Sequence, residues 1–251
     1  MATEIVKDKT NLPAEVNLEE YANSGMETVS VKDMAVPFIK ILQGLSPEIS
    51  KKKPEYIEGA EEGLLCNTVS GEIYESIQFI PCFFNSCVNE WRPNRGGFVA
   101  THNNSDIVVQ TAMRTTENKL VTKLGNELVD TANWYVLFNS TGILEAPELW
   151  NWGVIACTMT SLKKSRKLMS QLQAIKIHGK NGTFTPPLFT HIIDACTVPE
   201  SNDKGDFCNW KFSFNEKKSY EVKGLFEAAK IFNEQIKSGL VKVTPAEEGV
   251  F

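Results

Sequence analysis

Residues 76–91, SIQFIPCFFNSCVNEW, are a long aromatic and β-branched run, and they read as one extended strand. Pro81 has no N–H for a ladder, so the strand is predicted to bend there at an edge or a bulge. Segments of the same kind recur along the chain. VPFIKIL (36–42) opens the ordered part as a strand. LLCNTV and EIYES flank Ser70-Gly71 as a hairpin, and FVATH returns after the turn Asn94-Arg95-Gly96-Gly97. ANWYVLF and LWNWGVIACTM are two strong strands joined by a loop, and PLFTHIIDACTV and FCNWKFSF follow. Between residues 103 and 129, DIVVQTAMR reads as a short helix and TKLGNELV as a hairpin.

Two segments carry helical periodicity instead. In the first, Leu162, Leu168, Met169, Leu172 and Ile175 fall on one side, and Lys163, Lys164, Arg166 and Lys167 on the other. Ser161 is the predicted N-cap. In the second, over about 219–237, Val222, Leu225, Ala229, Phe232 and Ile236 form an apolar stripe. The expected fold class is mainly β with two or three helices (α+β), as an OB-like antiparallel barrel with insertions. Residues 1–35 read as a flexible acidic arm with a short helix near Leu18–Ala22. Residues 36–238 read as the domain, and residues 239–251 as a short exposed tail.

The net charge of −5 argues against a polyanion partner, but its distribution does not. Residues 1–35 hold seven acids and three bases, whereas residues 161–183 hold six bases and no acid. The N-terminus lacks an apolar stretch of signal-peptide type, and no apolar run is long enough to span a membrane. An intracellular protein is expected. Cys66, Cys82, Cys87, Cys157, Cys196 and Cys208 are scattered, and His102, His178 and His191 are far apart. No metal site is expected, and the cysteines read as reduced core thiols. Phosphate-loop, dinucleotide and nucleophile-elbow motifs are absent, so neither a cofactor nor an enzyme is expected.

Five constellations bear on function. Lys163, Lys164, Arg166, Lys167, Lys176, His178 and Lys180 crowd the acid-free segment. Cations at phosphate spacing bind a polyanion by releasing its counterions, although a charge run also suits a solvated helix face. Gly179 and Gly182 permit close backbone approach in the loop that follows. In NEWRPNRGGF, Trp91 and Phe98 bracket Arg92 and Arg95 across a turn. Rings under bases and cations on the backbone are how single strands are held. The same residues suit a packed tryptophan and a solvated turn. KKKPEY (51–56) extends the basic track or is a solvated loop. Trp134, Tyr135, Trp150 and Trp152 form an aromatic cluster for which core packing is the default, with Trp152 a further stacking candidate. At the C-terminus, Glu247, Glu248 and Phe251 make a short acidic end with an aromatic cap, suited to docking partner proteins or to a frayed tail.

The blocks VPFIKILQGLSPEISKKKPEYIEGAEEGLLCNTVSGEIY, EWRPNRGGFVATH, MTSLKKSRK, NGTFTPPLFTH and TVPESNDKGDF resemble a group of phage proteins encoded among replication and recombination genes. That resemblance covers roughly residues 36–236. More distantly, the chain is similar in size and plan to the single-stranded DNA-binding proteins of short-tailed phages, although its tail is less acidic than theirs. The resemblance implies a non-enzymatic single-stranded DNA-binding protein in the cytoplasm of an infected bacterial host. It would coat DNA in replication or recombination, with phage replication proteins as partners through the tail and self-association left open. The site residues are Lys163, Lys164, Arg166, Lys167, Lys176 and Lys180 for phosphates, Arg92 and Arg95 to close the groove, and Trp91, Phe98 and Trp152 for bases. The alternatives are a strand-annealing recombination protein, a structural or protein-interaction protein, and a nuclease.

Overall fold

The computed structural model describes residues 18–241, apart from 23, 30–32 and 204. Much of the acidic arm and the tail beyond 241 lie outside the described residues. A 3-10 turn at Leu18–Tyr21 stands where the sequence predicts a short helix.

A small antiparallel ribbon comes first, made of β1 (Ile39–Ile41), β2 (Leu65–Asn67) and β3 (Ile73–Tyr74). The strand predicted over 36–42 is thus shorter, with Phe38 adding a single bridge to Val154. Next is β4 (Ser76–Trp91), with the bounds read from the sequence. β5 (Phe98–His102), α1 (Ile107–Gln110), β6 (Met113–Arg114) and β7 (Leu120–Val121) build an insertion. β8 (Glu127–Asn139) and β9 (Asn151–Thr158) follow, then α2 (Leu162–Ala174). A hairpin of β10 (Ile177–Gly179) and β11 (Gly182–Phe184) leads to β12 (His191–Asn202), β13 (Gly205–Lys218) and α3 (Leu225–Lys237).

β4 and β8 pair from Gln78–Asn139 to Trp91–Glu127, and the two ends of this ladder do different work. At one end β12 and β13 add beyond β4, and β9 adds beyond β8. At the other end β5 adds to β4, and β7 and β6 add to β8, as an arm. The register of β4 slips between Pro81 and Phe83, the irregularity a proline without an N–H imposes. Asn233 of α3 donates its Nδ2 to the Cys82 carbonyl at 2.6 Å, at the residue the slip leaves unpaired.

The β1–β2–β3 ribbon closes the gap between β9 and β13. On one side the Val154 N–H donates to the Pro37 carbonyl at 2.8 Å. Gly153 permits this approach: a Cβ there would stand 3.2 Å from the Pro37 oxygen and 3.1 Å from the Phe138 ring. On the other side the Gln43 amide donates to the Cys208 carbonyl at 2.8 Å and accepts from the Cys208 N–H at 2.9 Å. The result is an OB-like antiparallel barrel with insertions, mainly β with three α-helices among the described residues.

Two apolar cores lie on opposite faces of this wall. Ile39, Leu65, Ile77, Phe79, Trp134, Val136, Phe138, Ile155, Ile193 and Trp210 fill the barrel, and Leu168 and Leu172 of α2 plug it. Outside, α3 lays Leu225, Ala229, Phe232 and Ile236 on Ile80, Cys82, Tyr135, Leu137 and Val154. The helix predicted from 219 begins only at Leu225. Ser219–Glu221 is a 3-10 turn, and Gly224 is left-handed at φ 80°, which breaks the two apart. Ser161 does not cap α2 as expected: its Oγ accepts from the Thr158 N–H at 2.8 Å and donates to the Thr158 carbonyl at 2.7 Å. All six cysteines are free thiols, four of them buried. Burial pushes Cys82 and Cys157 up to about 12.

His191, at the start of β12, is buried, and neither ring nitrogen has a hydrogen-bond partner among the described residues. Burial, with Lys218 as a second cause, lowers its pKa from 6.5 to about 4. The unfolded chain therefore binds a proton that the folded chain refuses. The contribution of neutral His191 is complete above pH 6.5 and is lost progressively as the pH falls toward 4. Urea denaturation across this window is expected to show a loss on the order of 2–3 kcal/mol in the wild type. In His191→Leu the part of that slope above about pH 5, where carboxylates stay ionised in both states, is expected to vanish, and an unchanged slope there would assign the acid sensitivity to other groups.

Candidate nucleic-acid interface

The outer face of β4, β8 and β9 continues past the edge of α3 as a concave surface. Its walls come from strand alternation: Asn85, Cys87, Asn89 and Trp91 of β4, Thr131, Asn133 and Tyr135 of β8, and Ala156 and Thr158 of β9. Phe38, Thr101 and Arg95 complete it. The polar groups of the floor are tied together. Thr101 donates its hydroxyl to Asn89 Oδ1 at 2.8 Å, and Asn89 Nδ2 donates to Thr131 at 3.1 Å. The Asn133 amide donates to the Cys87 sulfur at 3.5 Å. Burial raises the Cys87 pKa, so the group on the floor is a thiol. The described lining has amides, hydroxyls, rings and one guanidinium, without a carboxylate or an imidazole. Such a surface can hydrogen-bond neutral polar edges and attract an anion.

Arg95 stands at the rim because of its turn. Asn94 and Arg95 both adopt left-handed backbone, at φ 55° and 57°, which costs non-glycine residues on the order of 1 kcal/mol each. The Arg92 N–H donates to the Gly97 carbonyl at 2.9 Å and closes the turn. This aims the Arg95 guanidinium back over the Trp91 ring, 6.0 Å from its centroid, and brings its Nη2 to 3.3 Å from the Met159 sulfur. Met159 is itself left-handed, at φ 46°, in the junction between β9 and α2. Three strained non-glycine residues therefore meet where the arginine turn touches the start of the cationic helix. Arg92 is exposed beside them.

The aromatic residues named from the sequence are placed as follows. Trp91 is only 5% exposed and packs edge-on against the half-buried Phe98, with centroids 5.6 Å apart. Trp152 is half-buried under α3, edge-on to Phe232 at 5.7 Å. Neither tryptophan presents a free ring to the groove, because each fills a packing position beside its own strand. Trp134 is fully buried in the barrel, where its indole N–H donates to Ser165 of α2 at 2.8 Å.

The cations divide. Lys163, Arg166 and Lys167 are exposed on α2, while Lys164 turns to the barrel rim and pairs with Glu200 of β12. Glu200 is thus an acid that the third dimension adds to a segment acid-free in sequence. Lys164 also lowers the Glu200 pKa by donating to it, as Asn209 does. Lys176, just before the β10–β11 hairpin that follows α2, and Lys180, at its tip, are exposed. Lys51, Lys52 and Lys53 lie in exposed turns between β1 and β2.

The sequence reading missed two groups here. The Asn85, Asn89 and Asn133 amides share a face only through the β4–β8 register after the bulge, where Asn85 opposes Asn133. Phe184 is 46% exposed on β11, and the one signal for it was Gly179, whose open side its ring covers.

Among the described residues, no group of three or more His, Cys, Asp or Glu side chains is placed to hold a metal ion. No helix of the described residues is long and apolar enough to cross a membrane. Neither the curated proteins nor the solved structures contain a match to the chain. A phage protein family does match, over residues 6–242, which takes in the barrel, the arm, both long helices and the basic hairpin. On that extent the chain belongs to the Pam3 phage gp34-like family.

Proposed function

We propose that this phage protein binds single-stranded DNA without sequence preference and coats it during replication or recombination, with no catalytic step of its own. The observation that carries this reading is the contact of Arg95 with Met159, which joins the rim of an amide-lined groove to the start of a cationic helix. OB-type barrels bind oligonucleotides on one strand face and its flanking loops. Lys163, Arg166, Lys167, Lys176 and Lys180 would follow the phosphates, with Arg92 and Arg95 at the groove mouth. Trp91 and Phe98 would act from beneath, by seating Arg95. Binding driven by the backbone is expected to weaken steeply with salt.

Because four of the five tryptophans are buried and Trp152 is half-buried, the readout is the anisotropy of a labelled oligo-dT strand, titrated at low and high salt. Binding that falls as salt rises is expected. Absence of binding at about 20 mM salt, where backbone contacts are strongest, would remove the reading.

Strand annealing is a second reading, and the arm favours it. Ile107, Met113 and Leu124 are exposed there by 78%, 58% and 85%, so self-association would cover apolar surface. Particle size on DNA, with an assay of complementary-strand annealing, separates a monomeric coat from an annealing oligomer.

A further inference from the structure

Phe184 and Ile177 face each other across the β10–β11 hairpin, and every residue of its two strands is exposed. Neither side chain belongs to either apolar core. The Phe184 ring nevertheless has a fixed seat. A Cβ on Gly179 would stand 2.8 Å from its Cε1, so the ring lies directly on the glycine backbone. The hairpin is further pinned by His178 Nδ1 and Thr183 Oγ1 at 2.9 Å, and by a contact of Lys176 with Thr185. One side of the ring is thus held by backbone, and the other is open to solvent.

The segment that carries this ring is cationic. Lys176 precedes the hairpin, Lys180 sits at its tip, and no acid occurs between residues 161 and 183. Alternation places Lys176 with Thr185, and His178 with Thr183, on the face of the ribbon opposite the ring, so a strand stacked on Phe184 would meet these cations around the edge of the ribbon. The hairpin also continues α2, a helix about 20 Å long by its rise per residue, whose other end adjoins the Arg95–Met159 contact.

We propose that Phe184, seated on Gly179, is a base-stacking platform for single-stranded nucleic acid at the end of the cationic helix opposite the groove. This rests on the function proposed above and adds a site to it. Every base has a π-face, so a single open ring on a cationic hairpin holds a strand without reading its sequence.

The test compares wild type, Phe184→Ala, Phe184→Trp and Gly179→Ala by titration with oligo-dT and with an abasic strand of equal length, over a range of salt. Phe184→Ala is expected to weaken oligo-dT binding by roughly five- to a hundredfold, with an unchanged salt slope and little effect on the abasic strand. Phe184→Trp is expected to preserve affinity and to add a fluorescence signal quenched by oligo-dT. Gly179→Ala, which leaves the ring in the chain but displaces it, is expected to fall between. Thermal melts should match the wild type, because the hairpin lies outside both cores. If the wild type binds and Phe184→Ala binds equally well, or if the loss is equal on the abasic strand, the stacking site is overturned while the DNA-binding reading stands. If the wild type binds no strand, both fall.

Discussion

Replacing Lys163, Arg166 and Lys167 together by glutamine is expected to weaken oligo-dT binding by roughly a hundredfold at about 0.1 M salt. The three side chains are exposed on α2. Each phosphate contact on a single strand contributes about 0.7 to the slope of log affinity against log salt, so three lost contacts should lower that slope by about 2. The same arithmetic makes the effect larger in dilute salt, reaching three to four decades at about 20 mM. Lys164→Gln is the internal control. Its ammonium is engaged by Glu200 at the barrel rim, so its removal is expected to leave the salt slope nearly unchanged. Equal affinity of the triple variant and wild type would deny α2 any part in holding phosphates, and would favour a protein partner for that surface. A slope change as large for Lys164→Gln as for its neighbours would show that the Glu200 pair opens on binding.

Trp134→Ala is expected to cost about 3–5 kcal/mol of folding stability, measured by urea denaturation. Its indole is fully buried, packs on Phe84 with centroids 4.8 Å apart, and ties β8 to α2 through Ser165. Ser165→Ala deletes one hydroxyl, yet it should cost about 1–3 kcal/mol, because it strands the indole N–H in an apolar interior. Trp134→Phe combined with Ser165→Ala removes donor and acceptor together. The cycle is expected to recover part of the sum of the single changes. Strictly additive losses would mean that the hydrogen bond does not couple the helix to the barrel. The fit of α2 also bears on function, since the helix carries the exposed cations on the face opposite Leu168 and Leu172.

Much of the architecture was legible along the chain, wherever hydrogen-bonding and burial patterns are local. β4 has the bounds that its residue types imply, and Pro81 marks the register slip because its lack of an N–H is a property of one residue. The Ser70-Gly71 hairpin, the return of β5 and the buried stripes of α2 and α3 follow from alternation and from the helical repeat. The charge asymmetry of residues 161–183 needed only counting.

Sequence alone therefore determined the long strands, the two long helices, the irregularity at Pro81 and the run of cations, whereas the β10–β11 hairpin stands where it reads a loop. Tertiary structure alone decided which of those cations stay free, which rings stay bare and how the barrel closes. Lys164 and Glu200 are 36 residues apart, Arg95 and Met159 are 64 apart, and Gln43 and Cys208 are 165 apart. Trp91 and Trp152 have the residue type of a stacking platform but fill packing positions, whereas Phe184, less conspicuous in sequence, lies open on a glycine. The physical reason is range: periodicity and turn chemistry act over a few residues, whereas a side chain's exposure and its ion-pair partner depend on whatever distant segment the fold lays against it.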